Sequence, residues 1–147
     1  MVIKRFLIFF NLLLVNWVIS QVPGEWVYMK GSSGPTFIGI YGTKGIPGPN
    51  NEPPGAYEAA DWQDTQGNFW LYGGVNNTLG FLSDMWKFDF NLKQWVWMYG
   101  PGGVGSSSPV YGTRGVASTT ANPGFRSAAY SWVDQAGKFW LFGGIGY

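Results

Sequence analysis

The sequence predicts an all-β protein built from repeated antiparallel meanders, and three observations predict it. Aromatic residues make up 19% of the 147 residues, only 12% are charged, and 23 are glycine. Packed strands joined by tight turns have that composition, whereas helical and disordered chains do not. The stretch "FWLYGG" at 69–74 returns almost unchanged as "FWLFGG" at 139–144. That return belongs to a longer duplication, in which residues 26–74 align with 95–144. "WVYMKG" (26–31) matches "WVWMYG" (95–100), and "YGTKGIP" (41–47) matches "YGTRGVA" (111–117). "PPGAYEAADWQDTQGNFWLYGG" matches "NPGFRSAAYSWVDQAGKFWLFGG", with a near-constant offset and one residue absent near Ala56. Agreement over about fifty aligned positions marks a duplicated structural unit.

The elements follow in chain order. "MVIKR" is basic and "FLIFFNLLLVNWVIS" is apolar, the pattern of a secretory signal spanning 1–20 with cleavage before Gln21. The run is shorter than the ~20 apolar residues needed to span a bilayer, and Asn11 and Asn16 interrupt it. The expected destination is therefore secreted, periplasmic or at the cell surface. Residues 26–30 read as an outer strand. "AYEAADW" (56–62) reads as the first strand of a complete unit. "DTQG" (64–67) has Asp at the first place and Gly at the fourth, as in a type I turn. "NFWLYGG" is an unbroken apolar run, predicting a strand buried on both faces, and Gly73 and Gly74 end it where backbones approach closely. "DMWKFDF" (84–90) and "QWVWM" (94–98) complete four strands, with "NLK" as the turn between them. In the second copy "RSAAYSW" (126–132), the turn "DQAG" (134–137) and "KFWLFGG" give two strands more.

A four-stranded meander that is apolar on both faces cannot hide both alone. Copies stacked radially can hide them, which predicts a β-propeller. A diglycine after an apolar strand, then an aromatic, then Trp seven places later, resembles the kelch repeat. The positions here are Gly73, Gly74, Phe88 and Trp95, with Phe88 standing where that repeat has Tyr. Gly143 and Gly144 begin the same pattern in the second copy. Arg126 matches an arginine common in the "GARS" stretch, where the first copy has Ala56 and Tyr57. The long unit resembles exported kelch proteins similar to the central domain of galactose oxidase. The resemblance implies a propeller fragment over 21–147. It would hold 26–30 as the outer strand of a preceding blade, 54–100 as one complete blade and 123–147 as the first half of the next, about one and a half to two blades. Since closure takes four to eight blades, the expectation is part of a longer chain, with its other blades outside these residues. Made alone, such a piece should aggregate through its uncovered faces.

Composition narrows the function. A net charge of +1 gives no reason to expect nucleic acid, and no membrane contact is expected after signal removal. No cysteine and no histidine are present, which removes thiolate chemistry, the commonest metal ligand and the commonest general base. Asp64 and Asp134 read as turn residues, Asp84 and Asp89 as loop caps, and Glu25, Glu52 and Glu58 have no evident partner. Ser106 to Ser108 have no histidine to activate them. No catalytic residue, metal site or cofactor is expected. The long connections 31–55 and 99–122, with the loop 75–83, share one end of the meander and could bind a protein or glycan. Their candidates are Tyr41, Lys44, Asn76, Asn77, Tyr111 and Arg114. Because "YGT(K/R)G" recurs at equal spacing, fixing each loop's path is the rival reading. Asn76-Asn77-Thr78 is a short match to a glycosylation acceptor. The favoured expectation is an exported binding module. A fragment of a copper oxidase like galactose oxidase, its copper ligands lying elsewhere, and a surface structural protein are the alternatives.

Overall fold

The computed structural model describes residue 24 and residues 26–32, 36–103 and 107–146; the expected signal segment, Glu25 and Ser106 lie outside them. Eight strands occur among the described residues, and no helix. They are β1 Ala60–Gln63, β2 Phe69–Tyr72, β3 Val75–Asn76, β4 Gly80–Phe81, β5 Met85–Asp89, β6 Gln94–Tyr99, β7 Tyr130–Val133 and β8 Phe139–Phe142. The protein is all-β, as its composition predicts.

The first unit is a four-stranded sheet in the order β1-β2-β5-β6, every neighbouring pair antiparallel. The loop expected at 75–83 instead folds partly into the small hairpin β3–β4. Asn76 causes this locally, because its Oδ1 accepts the N–H groups of Thr78 (2.8 Å) and Leu79 (2.8 Å) and closes the turn. The expected aspartate turns form as read. Asp64 Oδ1 accepts from Gln66 and Asn68, and Asp134 Oδ1 from Ala136 and Lys138.

Register assigns the side chains to two faces. Ala60 lies opposite Tyr72 and Tyr72 opposite Met85, while Trp62 lies opposite Trp70. These define one face of the first unit. Phe69 pairs with Phe88, Phe88 with Trp95, and Leu71 with Trp86, defining the other. Phe88 and Trp95 meet edge to face, their ring centroids 5.1 Å apart, an arrangement that contributes about 0.5–1.5 kcal/mol beyond area burial. A β-bulge falls between Met85 and Trp86.

β7 and β8 repeat the β1–β2 pairing residue for residue, Trp132 opposite Trp140 and Tyr130 opposite Phe142. This hairpin lies on the Trp62 face of the first unit. Ala60, Trp62 and Tyr72 form the buried centre, with Trp70, Met85, Phe139 and Leu141 packed against it. The Trp62 and Phe139 rings stack at 5.4 Å with planes 9° apart.

The apolar strand run is not buried evenly on both faces. Tyr72 is buried, but Phe69 is exposed, and Trp140 and Phe142 in the second copy are exposed as well. A face is covered only where another unit or loop lies on it. Residues 26–29, expected as part of an outer strand, form no strand, and Trp26 is 95% exposed.

Candidate functional site

The segment carrying "YGTKG" does not reach out from the end of the meander. An antiparallel bridge between Ile40 and Glu52 closes it into a loop. That loop lies along the open edge of β6. Gly45 N–H donates to Trp97 O (2.8 Å), Gly48 bridges Trp95, and Asn51 Nδ2 donates to Trp95 O (3.1 Å). Covering an edge strand in this way satisfies its outward backbone groups and blocks pairing with other chains.

Tyr41 fastens the loop to the sheet. Its hydroxyl donates to Asp84 Oδ2 at 2.9 Å, and its ring packs against Trp86 (4.9 Å) and Trp97 (5.3 Å). The buried Asp84 also accepts the N–H groups of Gly102 (3.0 Å) and Gly103 (3.3 Å), so it joins two connections. Burial first, and the Asp84 carboxylate second, push the Tyr41 phenol far above its ordinary value, so it keeps its proton. Lys44 Nζ donates to Gly100 O (3.0 Å) and stands 4.3 Å from the Trp97 ring centroid. The polar groups of both candidates are therefore engaged in shaping the loops.

Asn76 is likewise consumed internally. It is 1% exposed, and its Nδ2 donates to Phe37 O and Gly55 O while its Oδ1 holds the β3–β4 turn. With both amide hydrogens directed inward, the folded chain offers no acceptor at the Asn76-Asn77-Thr78 match. Asn77 itself is exposed.

The second loop behaves differently despite its sequence. Val110 bridges Asn122 just as Ile40 bridges Glu52, but every residue from 111 to 120 is exposed. Tyr111 is exposed rather than packed between tryptophans as Tyr41 is. Its hydroxyl instead accepts from Arg126 Nη2. Arg114 is exposed on the same loop. Of the six candidates, Lys44, Asn77, Tyr111 and Arg114 are exposed, and Tyr111 and Arg114 share one loop.

The seam between the units is built from backbone as well as rings. Gly74 N–H donates to Arg126 O (2.8 Å), Ala128 N–H to Glu58 O (2.9 Å), and Tyr72 OH to Gly124 O (2.6 Å). Trp62 Nε1–H reaches Trp140 O (3.0 Å) and Ser127 Oγ–H reaches Glu58 Oε2 (2.7 Å). Sequence reading leaves Glu58 without a partner, because that partner belongs to the other unit. Glu58 and Ala128 hold equivalent positions and both take left-handed backbone, φ 56° and 52°. No residue type marks this conformation, which is sparsely populated outside glycine and costs about 1–2 kcal/mol. A largely apolar cavity of about 320 Å³ opens beside the seam, between Met85 and Tyr99 on one side and Pro123 and Leu141 on the other.

The turn carboxylates have a second task that the repeated spacing contains. Asp64 Oδ2 accepts Trp70 Nε1–H at 2.9 Å, and Asp134 Oδ2 accepts Trp140 Nε1–H at 2.8 Å. Partial burial opposes the Asp64 charge, but hydrogen bonds from Trp70, Asn68 and Gln66 outweigh it and hold the carboxyl below the ordinary 3.8. Asp134 is lowered chiefly by Trp140 and then by Lys138 N–H. A carboxyl lowered by folding stabilises the fold fully above its unfolded value, and that contribution disappears as pH falls through the folded one. Stability to urea is therefore expected to drop as pH falls below about 4, and Asp64→Asn should flatten that limb. An unchanged acid limb in the variant would show that the Asp64–Trp70 contact is not coupled to folding. Among the described residues, no group of three or more His, Cys, Asp or Glu could hold a metal ion, and no helix is long and apolar enough to cross a membrane.

No family model matches the chain, and no solved structure matches it. The chain is similar to part of the dynein alpha chain of the flagellar outer arm from Chlamydomonas reinhardtii, 32% identical over 103 residues. The match covers 70% of this chain and 2% of the dynein chain. It is a likeness to a small segment of a much longer polypeptide.

Proposed function

We propose that the chain is part of a kelch-type propeller scaffold that acts as an interaction module, presenting the loop closed by Val110 and Asn122 to a protein or glycan partner. The observation that supports this reading most is the seam. Two units of one sequence pattern stack face on face, with Trp62 against Phe139, and a stack of that kind holds its connecting loops rigidly. On the exposed loop Tyr111 supplies an aromatic face and Arg114 a charge, residue types favoured at binding surfaces. The export expected from residues 1–20 would place this surface outside the cell. The likeness to a short segment of a flagellar dynein chain is in keeping with a unit carried within larger polypeptides.

The test compares the chain with a Tyr111→Ala, Arg114→Ala double variant, using a glycan panel and proximity labelling of neighbours in the producing cell. Both substitutions are at exposed positions, so the fold should survive them. A ligand retained by the parent and lost by the variant is the expected outcome. Equal capture by both, or capture by neither, would remove the loop from the binding surface.

A further inference from the structure

The indole N–H groups of Trp62, Trp70, Trp97 and Trp140 all donate within the protein, to Trp140 O, Asp64, Tyr99 O and Asp134 respectively. Trp86 differs. It is 2% exposed, and its Nε1–H is the one buried side-chain polar group without a hydrogen-bond partner among the described residues. A donor left unpaired away from water shifts the folding equilibrium toward the unfolded chain by about fivefold to a hundredfold. A small cavity lies against the same side chain, its wall including Pro53, Ala59, Leu71, Leu82 and Asp84. All of these belong to the first unit or to the segment entering it, so the chain's own residues build the site. The cavity offers about 20 Å³ to a water-sized sphere. One water needs roughly 10–15 Å³ by that measure, together with two or more polar partners.

We propose that this cavity is a binding site for a single structural water, which accepts the Trp86 indole N–H and donates to Asp84 and Leu82. The Asp84 carboxylate accepts from Tyr41 OH and from the N–H groups of Gly102 and Gly103. A carboxylate offers about four acceptor positions, so one remains. Leu82 O stands 3.3 Å from the place that a Cβ on Gly73, another wall residue, would take. The chemistry selects water over other occupants of that size. An anion could take the indole hydrogen, but Asp84 repels it and no cation lines the cavity. A cation could pair with Asp84 but would face the indole N–H with nothing to accept it. Water alone both accepts and donates. The site also has a structural consequence. Asp84 fastens the two long connections to the sheet, and the Trp86 ring backs Tyr41 at 4.9 Å. The water ties these two residues together and completes the polar anchor beneath the loop 40–52. This inference is independent of the loop-binding proposal, because it uses neither Tyr111 nor Arg114.

Two measurements on the full 147-residue chain test it. The first replaces Trp86 alone by β-(3-benzothienyl)alanine, which keeps the bicyclic shape and puts sulfur where the N–H stands. Urea denaturation then reads the donor by sign. If water holds the N–H, the isostere loses a hydrogen bond and the unfolding constant should rise about threefold to tenfold. If the N–H is unpaired, the isostere removes a buried orphan, and the unfolding constant should stay level or fall. That result overturns the proposal. The second is diffraction from crystals of the unaltered chain, soaked in bromide. A single peak about 3 Å from Trp86 Nε1 and from Asp84 or Leu82 O, without bromide's anomalous signal, is expected. A dry cavity, a peak that carries the bromide signal, or one that touches only carbon would each overturn it. This second measurement needs no variant, so it stands even if the isostere fails to fold.

Discussion

Replacing Gly73 by alanine is expected to lower stability by about 3 kcal/mol or more, whereas the same change at Gly143 should cost only about 1 kcal/mol. The two glycines hold equivalent places in the duplicated "GG" and share one backbone conformation, φ 69° and 70°. Alanine pays the left-handed penalty at both. Their surroundings differ. A Cβ on Gly73 would stand 2.3 Å from Arg126 O, a backbone atom of the second unit, whereas one on Gly143 meets nothing within 4 Å. The clash cannot be relieved by turning a side chain, so the units must separate there, putting the neighbouring Gly74 N–H to Arg126 O bond at risk. Urea denaturation of both variants decides the matter. Equal losses would mean that the diglycine serves only its own turn and not the seam.

Trp62→Ala should cost about 3–5 kcal/mol, the range for deleting a large buried aromatic. Trp62 is buried, stacks on Phe139 and donates to Trp140 O, so the loss should fall on the attachment of β7–β8. Hydrogen exchange should accelerate across residues 130–142 while β5 and β6 stay comparatively protected. Trp62→Phe keeps a ring against Phe139 but leaves Trp140 O without its donor, so about 1–2 kcal/mol is expected. A uniform rise in exchange across both units would show that the sheet and the hairpin unfold as one body. Equal losses for Ala and Phe would show that the hydrogen bond, not the stack, holds the seam.

Much of the local structure is legible in the chain. "DTQG" and "DQAG" give their turns because an Asp side chain closes them on nearby N–H groups, a purely local matter. The strands 69–72 and 85–89 fall within the stretches that apolar patterning and turn residues mark out, 60–63 and 94–99 each run one residue past theirs, and the order β1-β2-β5-β6 follows from short connections. The small hairpin at 75–81 escapes that reading, because two-residue strands carry no periodicity and Asn76 reads as an exposed loop residue. Its burial depends on Phe37 and Gly55, distant in sequence. Tyr41 and Lys44 were legible as important, but their chemistry was not. Only the path of residues 40–52 along β6 brings Tyr41 to Asp84 and Lys44 to Trp97.

The sequence by itself determined the class, the duplicated unit, its turns and the absence of thiol and imidazole chemistry, because these depend on residue type and on spacings within one unit. Tertiary structure alone decided which of two near-identical motifs is buried. Tyr41 and Tyr111, Gly73 and Gly143, and Trp62 and Trp132 are paired by sequence and separated by environment. Burial belongs to a residue's neighbours in space, and a repeat pattern names the residue without saying whether its neighbour is there.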